Sequence, residues 1–210
     1  MVNQGVNISI SSLNKSPKKE GKYERDIIKE IANFLKNNNY KVREHVSLNI
    51  AWSNVLYELD VIGIRENEVT IVEVKSKKDR IMKAKTQMDI LRGFADYAYV
   101  ASDLLIESSN FKEDIGIMFI HNNEVFIIRN AKKISDPITK DMLMKLKKKC
   151  VIKLCGNDRS YNKMNKQNLV NLFLNNIDKE DLKVEVKNIV FCSQRCSNCL
   201  IGNEKDLSAP

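Results

Sequence analysis

Apolar residues lie in short runs along this chain, and their spacing alternates between helical and strand-like periods. From Tyr23 the spacing is helical as far as the asparagines at 37–39, which predicts a first helix closed by an asparagine C-cap. The stretch 40–50 alternates enough to predict a strand. Two apolar runs rich in β-branched residues, 57–64 and 69–75, flank a polar, charged tetrapeptide and predict a β-hairpin.

The remainder of the chain continues the alternation of helices and strands. The predicted elements are a helix at about 80–97, a strand at 97–101, a second hairpin of 115–120 and 124–129 turning at 122–123, a basic amphipathic helix containing Met142, Leu143 and Leu146, a helix at 165–177, and a helix or strand at 182–190. This order predicts an α/β fold, in which a mixed central β-sheet is flanked by helices and followed by a mostly helical C-terminal extension.

The length and the changes in composition predict one domain with additions at both ends. Residues 1–20 are polar and are predicted to form a flexible tail. Residues 21–131 carry the predicted core, and residues 132–210 form a basic, cysteine-containing extension. A chain of 210 residues is long enough for such a core and an extension.

The first hairpin holds the most informative chemistry. If Glu66 and Asn67 form its turn, Asp60 lies opposite Glu73, and Lys75 points to the same face of the sheet. Two neighbouring, half-buried carboxylates are costly unless a cation neutralises them. A divalent metal ion is the natural cation for such a pair. The alternative is a solvated strand face with a weak ion pair.

The order of Asp60, a gap of hairpin length and then Glu73-Val74-Lys75 resembles the motif of the PD-(D/E)XK nuclease superfamily. The resemblance is greatest to its archaeal Holliday-junction-resolvase-like and RecB-like branches. The resemblance covers residues 20–130, where Glu24 on the first helix matches a further family acid and Leu59 replaces the proline of the literal motif. It implies a restriction-endonuclease-like core. It also implies Mg²⁺ or Mn²⁺ held by Asp60 and Glu73.

The resemblance also implies the roles of the supporting residues. Glu24 would assist the metal ligands, the carbonyl of Val74 would add an oxygen ligand, and Lys75 would orient the attacking water. Related nucleases often carry a glutamine or lysine on the next helix, where Gln87 could bind a phosphate or a metal-bound water; a solvated helix face is the alternative.

Together with the resemblance, these residues predict a metal-dependent deoxyribonuclease that acts in DNA repair, recombination or defence. An endonuclease is favoured over an exonuclease. Two alternatives stay open: a catalytically silent nuclease-fold module that binds structured nucleic acid, and a restriction-type endonuclease with sequence specificity. Many relatives are dimers, so a homodimer is a further expectation from the resemblance.

The net charge of +8 favours polyanionic partners, although lysine-rich composition also follows from genomic base bias. Lysines 77 and 78, next to the hairpin, and lysines 145 and 148, in the basic extension, are the candidate DNA-backbone contacts. A solvated helix face is the alternative for the extension.

The cysteines form a second candidate site. Cys192, Cys196 and Cys199 follow C-x3-C-x2-C spacing, and Cys155 or Cys150 could supply a fourth thiolate for Zn²⁺ or an iron–sulfur cluster. Free thiols are the alternative. The chain has two histidines, His45 and His121, and both are expected to be surface or strand residues rather than ligands.

No stretch of about 18 apolar residues is present, and the first 21 residues lack the apolar segment of a signal peptide. The sequence therefore predicts a cytoplasmic protein without a membrane partner, whose cysteines do not form structural disulfides.

Overall fold

A computed structural model describes residues 24–52, 55–76 and 78–191, which form a mixed α/β fold with a six-stranded sheet flanked by helices. The strands are β1 (Lys41–Trp52), β2 (Val55–Arg65), β3 (Glu68–Lys75), β4 (Tyr97–Ser102), β5 (Ile115–His121) and β6 (Glu124–Arg129). The helices are α1 (Glu24–Asn37), α2 (Lys78–Leu91), α3 (Lys140–Lys145), α4 (Lys148–Leu154), α5 (Lys166–Asn176) and α6 (Lys179–Phe191).

The six strands lie side by side in chain order. β3, β4 and β5 are parallel to one another, while the hairpins β1–β2–β3 and β5–β6 are antiparallel. The helix α2 connects the parallel strands β3 and β4, as a crossover between parallel strands requires. The mixed sheet predicted from the sequence is confirmed.

The turn of the first hairpin sets the register of the catalytic candidates. Glu66 and Asn67 both have positive φ, 52° and 63°, as a two-residue type I′ turn requires. Pairing then runs from the Arg65–Glu68 pair to the Val61–Val72 pair. This is the register predicted from the sequence, and it brings the acid-bearing ends of β2 and β3 together.

Two hydrophobic clusters cover the two faces of the sheet. The smaller cluster joins α1, through residues such as Ile27 and Ile31, to Val61, Val72 and Val74 of the hairpin. The larger cluster contains residues of β1 to β5, α2 and all four C-terminal helices. Residues between Ile134 and Phe191 therefore share a core with the sheet, while the boundary between 131 and 132 stays a prediction.

One predicted helix ends earlier than its apolar pattern indicated. The helix predicted at about 80–97 ends at Leu91 and continues as one 3₁₀ turn, Arg92–Phe94. Gly93 lowers the helix propensity there, and the carboxylate of Asp96 accepts the N–H of Val69 at 2.8 Å, which turns the chain into β4.

The predicted basic helix is divided into α3 and α4. Leu146 forms a β-bridge with Ile50, and the N–H of Lys147 donates to the carbonyl of Asn49 at 3.0 Å. These contacts with β1 require an extended backbone at the junction. The segment at 182–190, left open as helix or strand, lies within the helix α6.

Within the described parts of the chain, none of the helices combines the length and the apolar character needed to cross a membrane.

Candidate active site

The hairpin β2–β3 brings two carboxylates and one ammonium group together. Asp60 Oδ2 accepts the backbone N–H of Val74 at 2.7 Å, and Lys75 Nζ donates to Glu73 Oε1 at 2.5 Å. Lys75 Nζ also lies 4.0 Å from Asp60 Oδ2. The structure therefore joins Asp60, Glu73 and Lys75 in one cluster, in which Lys75 lies within reach of both acids.

All three charged side chains of this cluster are buried. Glu73 is 1% exposed, Lys75 7% and Asp60 9%. Burial and then the negative charge of Asp60 raise the pKa of Glu73 to about 7, although Lys75 opposes this rise. Burial also raises the pKa of Asp60, against the lowering effects of the Val74 N–H and of Lys75. One ammonium group thus incompletely neutralises two carboxylates.

Glu24 occupies the first turn of α1, at the end of that helix nearest to the cluster. Its negative charge adds to the upward shifts of the pKa values of both Asp60 and Glu73. The opposite end of α1 lies near the β2–β3 turn, where an Arg65 guanidinium nitrogen donates to the Asn38 carbonyl at 3.4 Å. The orientation of α1 therefore places Glu24 near the two hairpin acids.

The donor set of this cluster suits a hard divalent cation. Oε2 of Glu73 is buried and has no hydrogen-bond partner among the described residues. A buried carboxylate oxygen without a partner is costly, and Mg²⁺ and Mn²⁺ prefer oxygen ligands of this type. Among residues 24–52, 55–76 and 78–191, however, no group of three His, Cys, Asp or Glu side chains is arranged closely enough to be a preformed metal site.

Val74 and Gln87, the two further candidates, differ in their hydrogen bonding. Val74 pairs with Ala101 of β4 and donates its N–H to Asp60, so it links the two acid-bearing strands. Gln87 lies on α2 beside the buried Met88, and its Oε1 is buried without a partner in the described part of the chain. Gln87 thus stays a candidate, because its amide is available to a ligand.

The candidate DNA-contacting lysines lie in different settings. Lys148 is exposed and donates to the carbonyl of Asn162 at 2.8 Å, while Lys145 lies at the end of α3 beside a cavity of about 250 Å³. Lys78 begins α2, directly after the hairpin. Lys77 lies outside the described residues.

The cysteine site is only partly within the described chain. The thiol of Cys155 donates to the carbonyl of Leu169 at 3.4 Å, and burial raises its pKa, which disfavours the thiolate that metals bind. Cys150 is buried in the larger cluster. The predicted ligands Cys192, Cys196 and Cys199 lie outside the described residues, so this site stays a prediction.

The sequence did not predict that His45 lies next to the cluster of Asp60, Glu73 and Lys75. His45 lies opposite Asp60, because the flanking pairs are Glu44–Val61 and Val46–Leu59. Its φ of 50° is left-handed, which is uncommon for histidine in a strand. A single histidine in an alternating strand carries no sequence signal of this conformation.

A second buried charge cluster lies at the other end of the sheet. Lys187 of α6 donates to Asp96 Oδ2 at 2.7 Å, and Lys183 lies 3.6 Å from Oδ1. Burial acts to raise the pKa of Asp96, but Lys187 and the Val69 N–H hold it below its usual value. This cluster attaches the C-terminal helix to the sheet and lies away from the hairpin acids.

No protein-family model matches this chain, and no curated protein matches it. Among solved structures, the SPO1766 protein of unknown function from Silicibacter pomeroyi is 15% identical, with a TM-score of 0.45, over 69% of this chain and 96% of that one. The protein of unknown function AF1548 is 14% identical, with a TM-score of 0.32, over 40% of this chain and 50% of that one. Neither neighbour carries a described activity, and the resemblance to PD-(D/E)XK nucleases stays a prediction.

Proposed function

We propose that this protein is a metal-dependent nuclease with a restriction-endonuclease-like core that hydrolyses phosphodiester bonds in DNA. The observation that carries the proposal is the buried cluster of Asp60, Glu73 and Lys75, in which one carboxylate oxygen has no partner within the described structure. Buried ionisable groups with strongly shifted pKa values are typical of functional sites. A purely structural ion pair would not need the second carboxylate.

The metal would be held by Asp60 and Glu73, with Glu24 and the Val74 carbonyl in support. When bound, Mg²⁺ or Mn²⁺ would supply charge stabilisation for the phosphoryl group and a lowered pKa for water. The neutralising charge explains why two acids can stay buried together in the loaded protein.

The residues of the chain have distinct roles in this proposal. The Val74 N–H fixes the carboxylate of Asp60 through a hydrogen bond of 2.7 Å, so this ligand is oriented before substrate arrives. Lys75 is a positioned cation that can hold the attacking water and stabilise the negative charge of the transition state. In the overall reaction water adds to phosphorus, the bond to one ester oxygen breaks, and that oxygen takes up a proton.

The test is a digest of plasmid, linear duplex, single-stranded and four-way-junction DNA, and of single-stranded RNA, with Mg²⁺ or Mn²⁺ and with EDTA. We expect cleavage of at least one DNA that requires the metal and that is lost in Asp60→Asn. Cleavage that persists in EDTA, or at full rate in Asp60→Asn, would show that another site or a contaminant is responsible. Preferential cleavage of RNA would correct the substrate class.

A second candidate function is a silent nuclease-fold module that binds structured nucleic acid. It is favoured by one observation: Lys75 already donates to Glu73 at 2.5 Å, so part of the acidic charge is neutralised within the chain. Under this candidate, electrophoretic mobility shifts with the same DNA panel would show binding, while none of the substrates would be cut under any metal condition.

A further inference from the structure

His45 has a backbone conformation that is uncommon for its residue type. Its φ of 50° lies in the left-handed region, which glycine and asparagine adopt more readily than histidine. Each of the other described non-glycine residues with positive φ is an asparagine except Glu66, which lies in the tight β2–β3 turn. His45 instead lies inside β1, and strained residues of this kind concentrate at functional sites.

In β1 and β2, the alternation of side chains between the two faces of the sheet is shifted by one residue at the position of His45. Residues two apart on a regular strand share a face, yet Leu59 packs in the larger cluster and Val61 in the smaller one. In β1, Val42 likewise packs against the smaller cluster and Val46 in the larger. The switch falls at the opposed residues His45 and Asp60, so the left-handed backbone forms the pivot of the hairpin.

Beyond this pivot, the outer arm of β1–β2 is fixed by the C-terminal helices. Ile50 forms a β-bridge with Leu146, and the Asn49 side chain donates to the carbonyl of Ile189 at 2.8 Å. These contacts secure the arm without any contribution from the imidazole. The ring of His45 is therefore not needed to hold the arm in place.

The imidazole itself is exposed and partly oriented. The His45 side chain is 51% exposed, and its Nδ1 lies 3.6 Å from Oε1 of Glu58. This distance is too long for a hydrogen bond, so the proton of the ring is not required on Nδ1. Nε2 can then carry the N–H and donate it to a further partner. The ring is close enough to Asp60 to be among the groups that act to lower the pKa of that carboxyl, against the larger effect of burial.

We propose that His45 is a substrate-contacting residue, whose imidazole N–H donates to a phosphate next to the scissile one. The inference rests on the proposed function, since it requires a nucleic acid at the cluster of Asp60, Glu73 and Lys75. Contacts with phosphates adjoining the reacting group are made by side-chain N–H donors and fix the register of the strand. The left-handed backbone is the feature that presents the ring beside Asp60.

The test uses the full-length chain and the DNA of the panel above that the wild type cuts fastest. In His45→Gly we expect an unchanged or higher melting temperature, because glycine adopts positive φ without strain. We expect kcat/KM to fall about tenfold or more, as for loss of one charge-assisted hydrogen bond. Fluorescence anisotropy in EDTA, where hydrolysis does not compete, should show a weaker Kd for the same labelled DNA.

The matched control is Asn157→Gly, since Asn157 is exposed and has a φ of 61°. It should leave kcat/KM and Kd unchanged. If His45→Gly lowers the melting temperature, His45→Asn replaces it, because asparagine tolerates positive φ while its shorter side chain reaches less far. A folded variant of either kind with wild-type kcat/KM and Kd would overturn the role of His45.

The two proposals fail in different ways. Cleavage by the wild type together with full activity in His45→Gly would remove only the role of His45. Absence of metal-dependent cleavage of any nucleic acid by the wild type would remove the proposed function and, with it, this inference.

Discussion

The carboxylate of Asp60 in β2 accepts the backbone N–H of Val74 in β3 at a distance of 2.7 Å. This hydrogen bond connects the two strands next to Glu73. Asp60→Asn should retain this hydrogen bond through its amide oxygen and should lose the charge that binds the metal. We predict that cleavage falls about a hundredfold or more, a loss of the size seen when one electrostatic contributor to catalysis is removed. Single-turnover cleavage of labelled DNA measures this effect.

Asp89→Asn is the matched control, because Asp89 is an exposed acid of α2 that lies 3.8 Å from Lys112. It should cleave at the wild-type rate. A similar loss of activity in both variants would mean that the acidity of the surface, and not the Asp60 site, controls cleavage.

Glu73→Gln tests the cost of the second buried carboxylate. At pH 8 this side chain is ionised, above its pKa of about 7, yet it is 1% exposed and its Oε2 has no partner in the described chain. We predict that the metal-free variant is more stable than the wild type by about 1–3 kcal/mol. Urea unfolding in EDTA measures the difference.

Adding Mg²⁺ should reverse this order. A ligand that binds only the folded state stabilises it, so the wild type should gain stability with metal concentration and Glu73→Gln should gain little. Equal stabilisation of the two proteins by Mg²⁺ would place the metal elsewhere.

Lys75→Met removes the ammonium group that partly neutralises Asp60 and Glu73. Leaving buried charge without its partner typically costs about 3 kcal/mol or more, so the metal-free variant should be clearly destabilised at pH 8. Mg²⁺ should restore much of this stability but no cleavage, because the positioned cation is lost. Thermal unfolding and the cleavage assay measure the two effects, and Lys132→Met, at an exposed ion pair with Glu113, should change neither.

The Asp96–Lys187 pair should make stability depend on acid pH. The folded-state pKa of Asp96 is below its usual 3.8, so its contribution is complete above about pH 4 and is lost as the pH falls through the folded value. Asp96→Asn should therefore cost about 3 kcal/mol at pH 7, since Lys187 is left buried without its partner, and less at pH 3. Urea unfolding at the two pH values tests this.

Glu113→Gln is the control for this experiment, because Glu113 is 88% exposed. It should unfold like the wild type at both pH values. A deficit of Asp96→Asn that is the same at pH 7 and pH 3 would show that packing, and not charge, is responsible.

The sequence determined the order of the sheet elements and the local register of the first hairpin. Alternation of apolar residues and the turn at Glu66 and Asn67 depend on neighbours in the chain, and both are found as predicted. The same register brings the acids of β2 and β3 together with Lys75. Local periodicity and turn chemistry therefore determined the candidate site.

Tertiary contacts decided the features that no local pattern encodes. The predicted basic helix is divided because Leu146 pairs with Ile50, and the strand histidine at 45 becomes a left-handed pivot because the two ends of its hairpin pack into different clusters. Each depends on residues that are distant in the chain. The spacing of residues along the chain was enough to predict that the two acids and the lysine lie together. Only the fold determined that they are buried and that His45 lies beside Asp60.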